Sequence, residues 1–204
     1  MRRLISNIAR VDFMNASSGF GVSDANIFWG EIAPSEHVAQ FYEHEGVLLD
    51  TLTGFVAGGL DRGESTIVIA TPEHLLSIDQ RLRDSKTDLA RAVAEDRYIT
   101  LDAESALASF MVKDWPDEDL FADFINQLIL RASANDRRVR AFGEMVALLW
   151  DKGLAAATVR LEHLWHQFCQ NHAFSLFCAY PRAGFTSDPT KSLADICAAH
   201  SRVI

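Results

Sequence analysis

Short runs of β-branched and aromatic residues alternate with longer stretches of helical periodicity, and this alternation restricts the possible folds more than any other feature. The clearest run, Ser65-Thr66-Ile67-Val68-Ile69-Ala70, reads as a strand buried on both faces. His37–Tyr42, Tyr98–Leu101, Val139–Phe142 and Phe174–Tyr180 read as four more strands. Between them, Leu48, Leu52, Phe55, Val56 and Gly59 recur at helical spacing, with Gly63 closing the segment. Thr71-Pro72-Glu73 has the form of a helix start, a capping threonine followed by a first-turn proline. A long helix is predicted after Pro116, with Asp117, Glu118 and Asp119 in its first turn and Leu120, Phe121, Phe124, Ile125 and Leu128 on its buried face. Leu154, Ala157, Leu161, Leu164 and Phe168 mark another, and a short helix near 192–200 ends the chain. The pattern predicts a three-layer α/β/α domain around a mostly parallel sheet of five strands or slightly more. Residues 1–30, interrupted by Ser-Ser-Gly-Phe-Gly, read as an N-terminal extension to a domain spanning 31–204.

A chain of 204 residues with 49% hydrophobic positions can build its core without disulfides or metal staples. Its 28 acidic and 19 basic residues give a net charge of −9, which repels a polyanion. The nearest thing to a basic patch, Arg137, Arg138 and Arg140, reads as a solvated helix end. No direct nucleic-acid partner is expected. Cys169, Cys178 and Cys197 are an odd number without C-x-x-C spacing, and they read as reduced thiols of a cytoplasmic protein. No segment has the form of a signal peptide or is apolar enough to span a bilayer, so no membrane association is expected.

In a parallel sheet covered on both faces, ligands bind beyond the carboxyl ends of the strands, where loops and helix N-termini converge. That rule selects Tyr42, Glu43, Thr71, Glu73, His74, Asp102, Glu144 and Tyr180. His37 joins them as a histidine at a strand terminus, and Trp150 as an aromatic residue next to the expected cleft. Glu144 has two readings, a carboxylate facing the cleft or one that holds the turn through backbone or Arg140. Trp115, Trp165 and Phe142 are read as core. Glu162-His163-x-x-His166 lacks the zincin order and spacing and reads as an exposed helix face. There is no G-x-S-x-G elbow, and no cysteine has an evident activating neighbour. The expectation is therefore no catalytic residue, no metal and no cofactor.

The segments HVAQFYEHEGVLLDTLTGFVAGGLDRGE, IVIATPEHL, RYITLDAESALASFMV, VRAFGEMVALLWDKG, LEHLWHQF, FSLFCAYP and ICAAHSRV resemble, in order and spacing, the MEDS domain. This is the sensory domain of the dichloromethane regulator DcmR and of many bacterial sensor kinases. The resemblance covers about residues 36 to 203. It implies a RecA/KaiC-like sheet with a degenerate phosphate-binding loop, and a role in sensing small molecules such as hydrocarbon derivatives. Family members usually pass their signal to a fused kinase or DNA-binding domain, and hence to transcription regulation. Because the sequence stops at Ile204, the expected output here acts in trans on a signalling partner, or through oligomerisation.

The implied ATPase kinship can be tested on the residues. A phosphate-binding loop needs glycines, a lysine after them, and a Ser/Thr for magnesium. None of Lys86, Lys113, Lys152 and Lys191 follows a glycine, and Glu43-His44-Glu45-Gly46 stands after the first strand. Two carboxylates there repel a triphosphate. The reading is a non-catalytic domain that senses an apolar or mixed small molecule. Two alternatives stay open: a homodimerising interaction module without a ligand, and an atypical nucleotide-binding protein acting through Glu144.

Overall fold

All six residues of Ser65–Ala70 are buried, as their β-branched run predicts. The computed structural model describes residues 32–182 and 189–204, and the expected extension over residues 1–30 lies outside the described residues. The first half of the domain runs β1 (His37–Tyr42), α1 (Glu45–Asp61), β2 (Ser65–Ala70), α2 (Pro72–Asp84), α3 (Leu89–Ala94), β3 (Tyr98–Asp102) and α4 (Ala103–Ala108). A small antiparallel pair follows, β4 (Met111–Val112) with β5 (Trp115–Pro116). The second half runs α5 (Glu118–Ala132), β6 (Val139–Gly143), α6 (Met145–Asp151), α7 (Ala155–His172), β7 (Ser175–Pro181), α8 (Pro189–Ala199) and β8 (Arg202–Val203).

The main sheet has six strands in the order β3-β2-β6-β7-β1-β8, and each neighbouring pair is parallel. Its sixth strand is a two-residue edge piece, Val38 facing Arg202 and Ala39 facing Val203. Two residues carry no readable alternation, so sequence patterning passes over it.

Side chains alternate across the sheet, as a two-residue period requires. Val68, Phe142, Phe177 and Ala179 face a core that includes Leu52, Phe55 and Val56 of α1, Ile78 of α2 and Ala92 of α3. Ile67, Ala141, Leu176, Cys178 and Tyr180 face the other core, with Phe121, Trp165 and Ile196 from α5, α7 and α8. The architecture is thus three-layer α/β/α.

Three sequence expectations need correction. Trp115, read as core, is 47% exposed on the short β5 strand. On α5 the buried stripe is Phe121, Ile125, Leu128, Ile129 and Ala132, whereas Leu120 is 44% exposed. Leu120 sits one position before the stripe, about 100° around the helix. Arg140 is not part of a solvated helix end. As the second residue of β6 it points into the α1 core, 2% exposed, and pairs with buried Glu64. Gly59 makes the room for it: a β-carbon there would lie 2.9 Å from Thr66 Cγ2 and 3.1 Å from Arg140 Cδ.

Candidate functional site

The carboxyl ends of β1, β2 and β6 open into a cleft of about 630 Å³ lined by Tyr42, Glu45, Thr71, Pro72, Glu73, His74 and Glu144. Each side chain is placed by an element end. Tyr42 closes β1, Thr71 stands just before α2 without a side-chain capping bond, His74 lies in the first turn of α2, and Glu144 directly follows β6. The Glu144 N–H donates to Ile69 O (2.9 Å), which fixes this residue against β2.

The Glu144 carboxylate organises the cleft. Its Oε2 accepts the Thr71 N–H at 2.8 Å, and its Oε1 lies 2.8 Å from His74 Nδ1. His74 Nε2 lies 2.7 Å from Glu45 Oε1 at the start of α1. One imidazole thus bridges two carboxylates from different elements. The N-terminus of α2 attracts anions through its unpaired N–H groups and its dipole. Here that field already falls on a carboxylate of the protein itself. Both readings of Glu144 hold together: it faces the cleft and it holds backbone, but its partners are Thr71 and His74, while Arg140 goes to Glu64.

Hydrogen bonding to Glu144 raises the His74 pKa above its ordinary value, against the opposing effect of burial, with Glu45 adding to the rise. Burial first, then the charges of Glu144 and Glu45, pushes the Tyr42 phenol up to about 12. Tyr42 therefore presents a neutral hydroxyl at neutral pH. The shift of His74 predicts a pH signature. Its stabilisation is complete below the unfolded value of about 6.5 and fades as pH rises through the higher folded value. Denaturation midpoints of wild type and His74→Gln should differ most near pH 6 and converge as pH rises. A gap of constant size across that range contradicts the bridge.

The other sequence-selected residues are not brought to this cleft. Glu43 is exposed and pairs with Arg182 (2.8 Å). Asp102 caps α4, its Oδ1 accepting from Ser105 N (2.9 Å), and the Ser105 bonds hold its carboxyl below the usual range. Trp150 packs, partly buried, against the α5–α7 core.

His37 and Tyr180 are fully buried on the opposite face of the sheet. His37 is five residues before Tyr42 on the same strand, and an odd offset puts two side chains on opposite faces. There it meets Cys178, Glu162 and His200. His37 Nε2 lies 3.4 Å from Cys178 Sγ and 3.4 Å from Glu162 Oε2. His200 Nε2 is also 3.4 Å from Glu162 Oε2, and the Tyr180 hydroxyl donates to Glu162 Oε1. Burial, followed by the neighbouring His200 and His166, lowers the pKa of His37. Two expectations are corrected: Glu162 is fully buried rather than on an exposed helix face, and Cys178 does have a histidine neighbour. A sequence signal existed. Glu162 stands three residues before Trp165 and seven before Cys169, helical spacings that put it on the same buried face of α7.

Among the described residues no helix is long and apolar enough to cross a membrane. The family model described as MEDS, the methanogen/methylotroph DcmR sensory domain, matches residues 36–201. A solved structure from Pyrococcus horikoshii OT3, recorded as a structural study, is similar with a TM-score of 0.53 and 12% identity, covering 88% of this chain and 85% of its own. That likeness concerns the fold alone. No curated protein matches the chain.

Proposed function

The chain belongs to the MEDS family of sensory domains, and from that premise we propose that it senses a small uncharged or cationic molecule in the cleft, without chemical turnover. The observation that carries this reading is the Glu144 carboxylate seated on the Thr71 N–H and on His74. A phosphate would have to displace that carboxylate, and would then face Glu45 and Glu73 as well. A neutral or cationic ligand meets no such opposition. It can lay an apolar surface on Tyr42 and Pro72 and exchange hydrogen bonds with the phenol and carboxylates. In this reading ligand binding draws on α1, α2 and the end of β6 together, because Glu45, His74 and Glu144 belong to one hydrogen-bonded chain. A change in that chain is the signal, read in trans by a regulatory partner.

Thermal denaturation of the full chain tests the proposal, with dichloromethane, short alcohols and short alkylamines set against ATP–Mg²⁺ and pyrophosphate. A ligand at 100 times its dissociation constant adds about 2.7 kcal/mol. The expected result is stabilisation by an organic probe, lost in Tyr42→Ala, and none by either phosphate compound. Stabilisation by ATP–Mg²⁺ that Glu144→Ala removes would overturn the reading in favour of a nucleotide-binding protein. Silence towards every probe in a stable dimer would overturn it in favour of an interaction module.

A further inference from the structure

The buried group behind the sheet is built from three elements and one connecting residue. His37 begins β1, Glu162 lies in α7, Cys178 is in β7, and His200 stands between α8 and β8. One donor atom from each lies within 4.8 Å of all the others. The side chains of His37, Glu162 and His200 are 0% exposed, and Cys178 is likewise buried.

The hydrogen bonding around these residues orients them towards a common point. His37 Nδ1 lies 3.2 Å from Ala199 O, and His200 Nδ1 lies 2.6 Å from Ile196 O. A carbonyl only accepts, so each Nδ1 carries the proton and each Nε2 presents a lone pair. Both Nε2 atoms lie 3.4 Å from Glu162 Oε2, and the donor within reach of His37 Nε2 is the Cys178 thiol. Neither Glu162 Oε2 nor His200 Nε2 has a hydrogen-bond partner. The two rings are 3.9 Å apart between centroids, so charging both to satisfy the carboxylate would set two buried cations against each other. Two buried acceptor atoms without a partner, beside a second imidazole and a thiol, suit a bound cation.

We propose that His37 Nε2, His200 Nε2, Glu162 Oε2 and Cys178 Sγ form a buried binding site for one divalent transition ion of the zinc class. Imidazole and thiolate donors disfavour magnesium and calcium, and a closed four-donor set is the form of a structural zinc site. Tetrahedral bonds of about 2.0–2.3 Å put donors roughly 3.3–3.8 Å apart, so the present cluster needs to contract by about 1 Å at its widest. The charges balance: the carboxylate and the thiolate together neutralise the ion, and uptake releases the thiol proton to solvent. The backbone carbonyls behind both histidines and the Tyr180 hydroxyl on Glu162 Oε1 form the outer shell that such ligands need. The ion joins β1 to the residue that leads into edge strand β8. It thereby fastens the C-terminus to the sheet, where Ser201 N donates to His37 O (2.8 Å) and Ile204 N to Ala39 O (2.9 Å).

The wild-type chain is stripped with a chelator, checked for folding by circular dichroism, and titrated with Co²⁺ and then Zn²⁺. One Co²⁺ per chain is expected, with a near-ultraviolet thiolate-to-cobalt band that Zn²⁺ removes. Zn²⁺ should also slow amide exchange of Ser201 and Ile204 in the stripped protein. Cys178→Ser should abolish the band, Cys197→Ser should leave it, and Tyr180→Phe should weaken binding about 10–100-fold. Folded wild-type protein that takes up neither ion in one-to-one ratio overturns the proposal. So does a cobalt band that survives Cys178→Ser or vanishes in Cys197→Ser.

Discussion

Arg140→Met should destabilise the domain by about 3–5 kcal/mol, visible as a lower urea midpoint, although the residue is remote from the cleft. Its guanidinium is held in the α1 core by Glu64, by Phe55 O at 3.4 Å from Nη1, and by the Phe55 ring with its centroid 5.5 Å away. The side chains of the pair are 3% and 11% exposed. Desolvation of both charges absorbs much of their attraction, so the pair as a whole contributes little net stability. Removing one member is different: it leaves Glu64 charged in a site with little water. The double variant Arg140→Met/Glu64→Leu should therefore recover most of the loss, because neither charge then remains buried alone. A single variant costing less than about 1 kcal/mol, or a double variant costing the sum of the two singles, refutes this account.

The same arginine shows where the amino-acid sequence stops being informative. As a letter beside Arg137 and Arg138 it looks like part of a basic surface cluster, and only the strand register aims it inward, opposite Thr66 on β2. The strands and main helices were legible because each repeats its own period several times. Edge strand β8 and helices α3, α4 and α6 are too short to do so. The cleft was half legible for a related reason. The rule that ligands bind at strand carboxyl ends found Tyr42, Thr71, His74 and Glu144, since each is adjacent to the end of a strand or the start of a helix. It also collected Asp102, a helix cap, and Tyr180, which the two-residue alternation turns to the far face. Glu45 entered only as one of two carboxylates hostile to phosphate, because its partner His74 is 29 residues away. The buried His37–Glu162–Cys178–His200 group was illegible as a group. Its members are spread across 163 positions and meet only once β1, β7, α7 and the end of α8 are packed.

Trp165→Ala should cost about 3–5 kcal/mol, while Trp165→Phe should cost under about 1.5 kcal/mol. The tryptophan is 1% exposed and heads the fully buried side chains by volume. It packs edge-on against Phe121 (5.0 Å between centroids, 89°) and against Phe174 (6.4 Å, 65°). Truncation to alanine removes the centre of that aromatic group, and the parallel sheet behind it cannot collapse into the space. Phenylalanine keeps one ring in place. It also deletes an indole N–H that has no hydrogen-bond partner, and an unmet buried donor costs roughly 1–3 kcal/mol. The same relief accompanies Trp165→Ala, but there the much larger loss of packing volume outweighs it. The packing extends to the cleft, because a β-carbon on Gly143 would lie 3.7 Å from Trp165 Cζ2, and Gly143 is the residue before Glu144. Support lost under Gly143 frees the end of β6 and with it the carboxylate that holds Thr71 and His74. Trp165→Phe should accordingly keep the pH-dependent contribution of His74, and Trp165→Ala should flatten it along with the fall in urea midpoint. Equal midpoints for the two variants would show that the indole is not what fills this core.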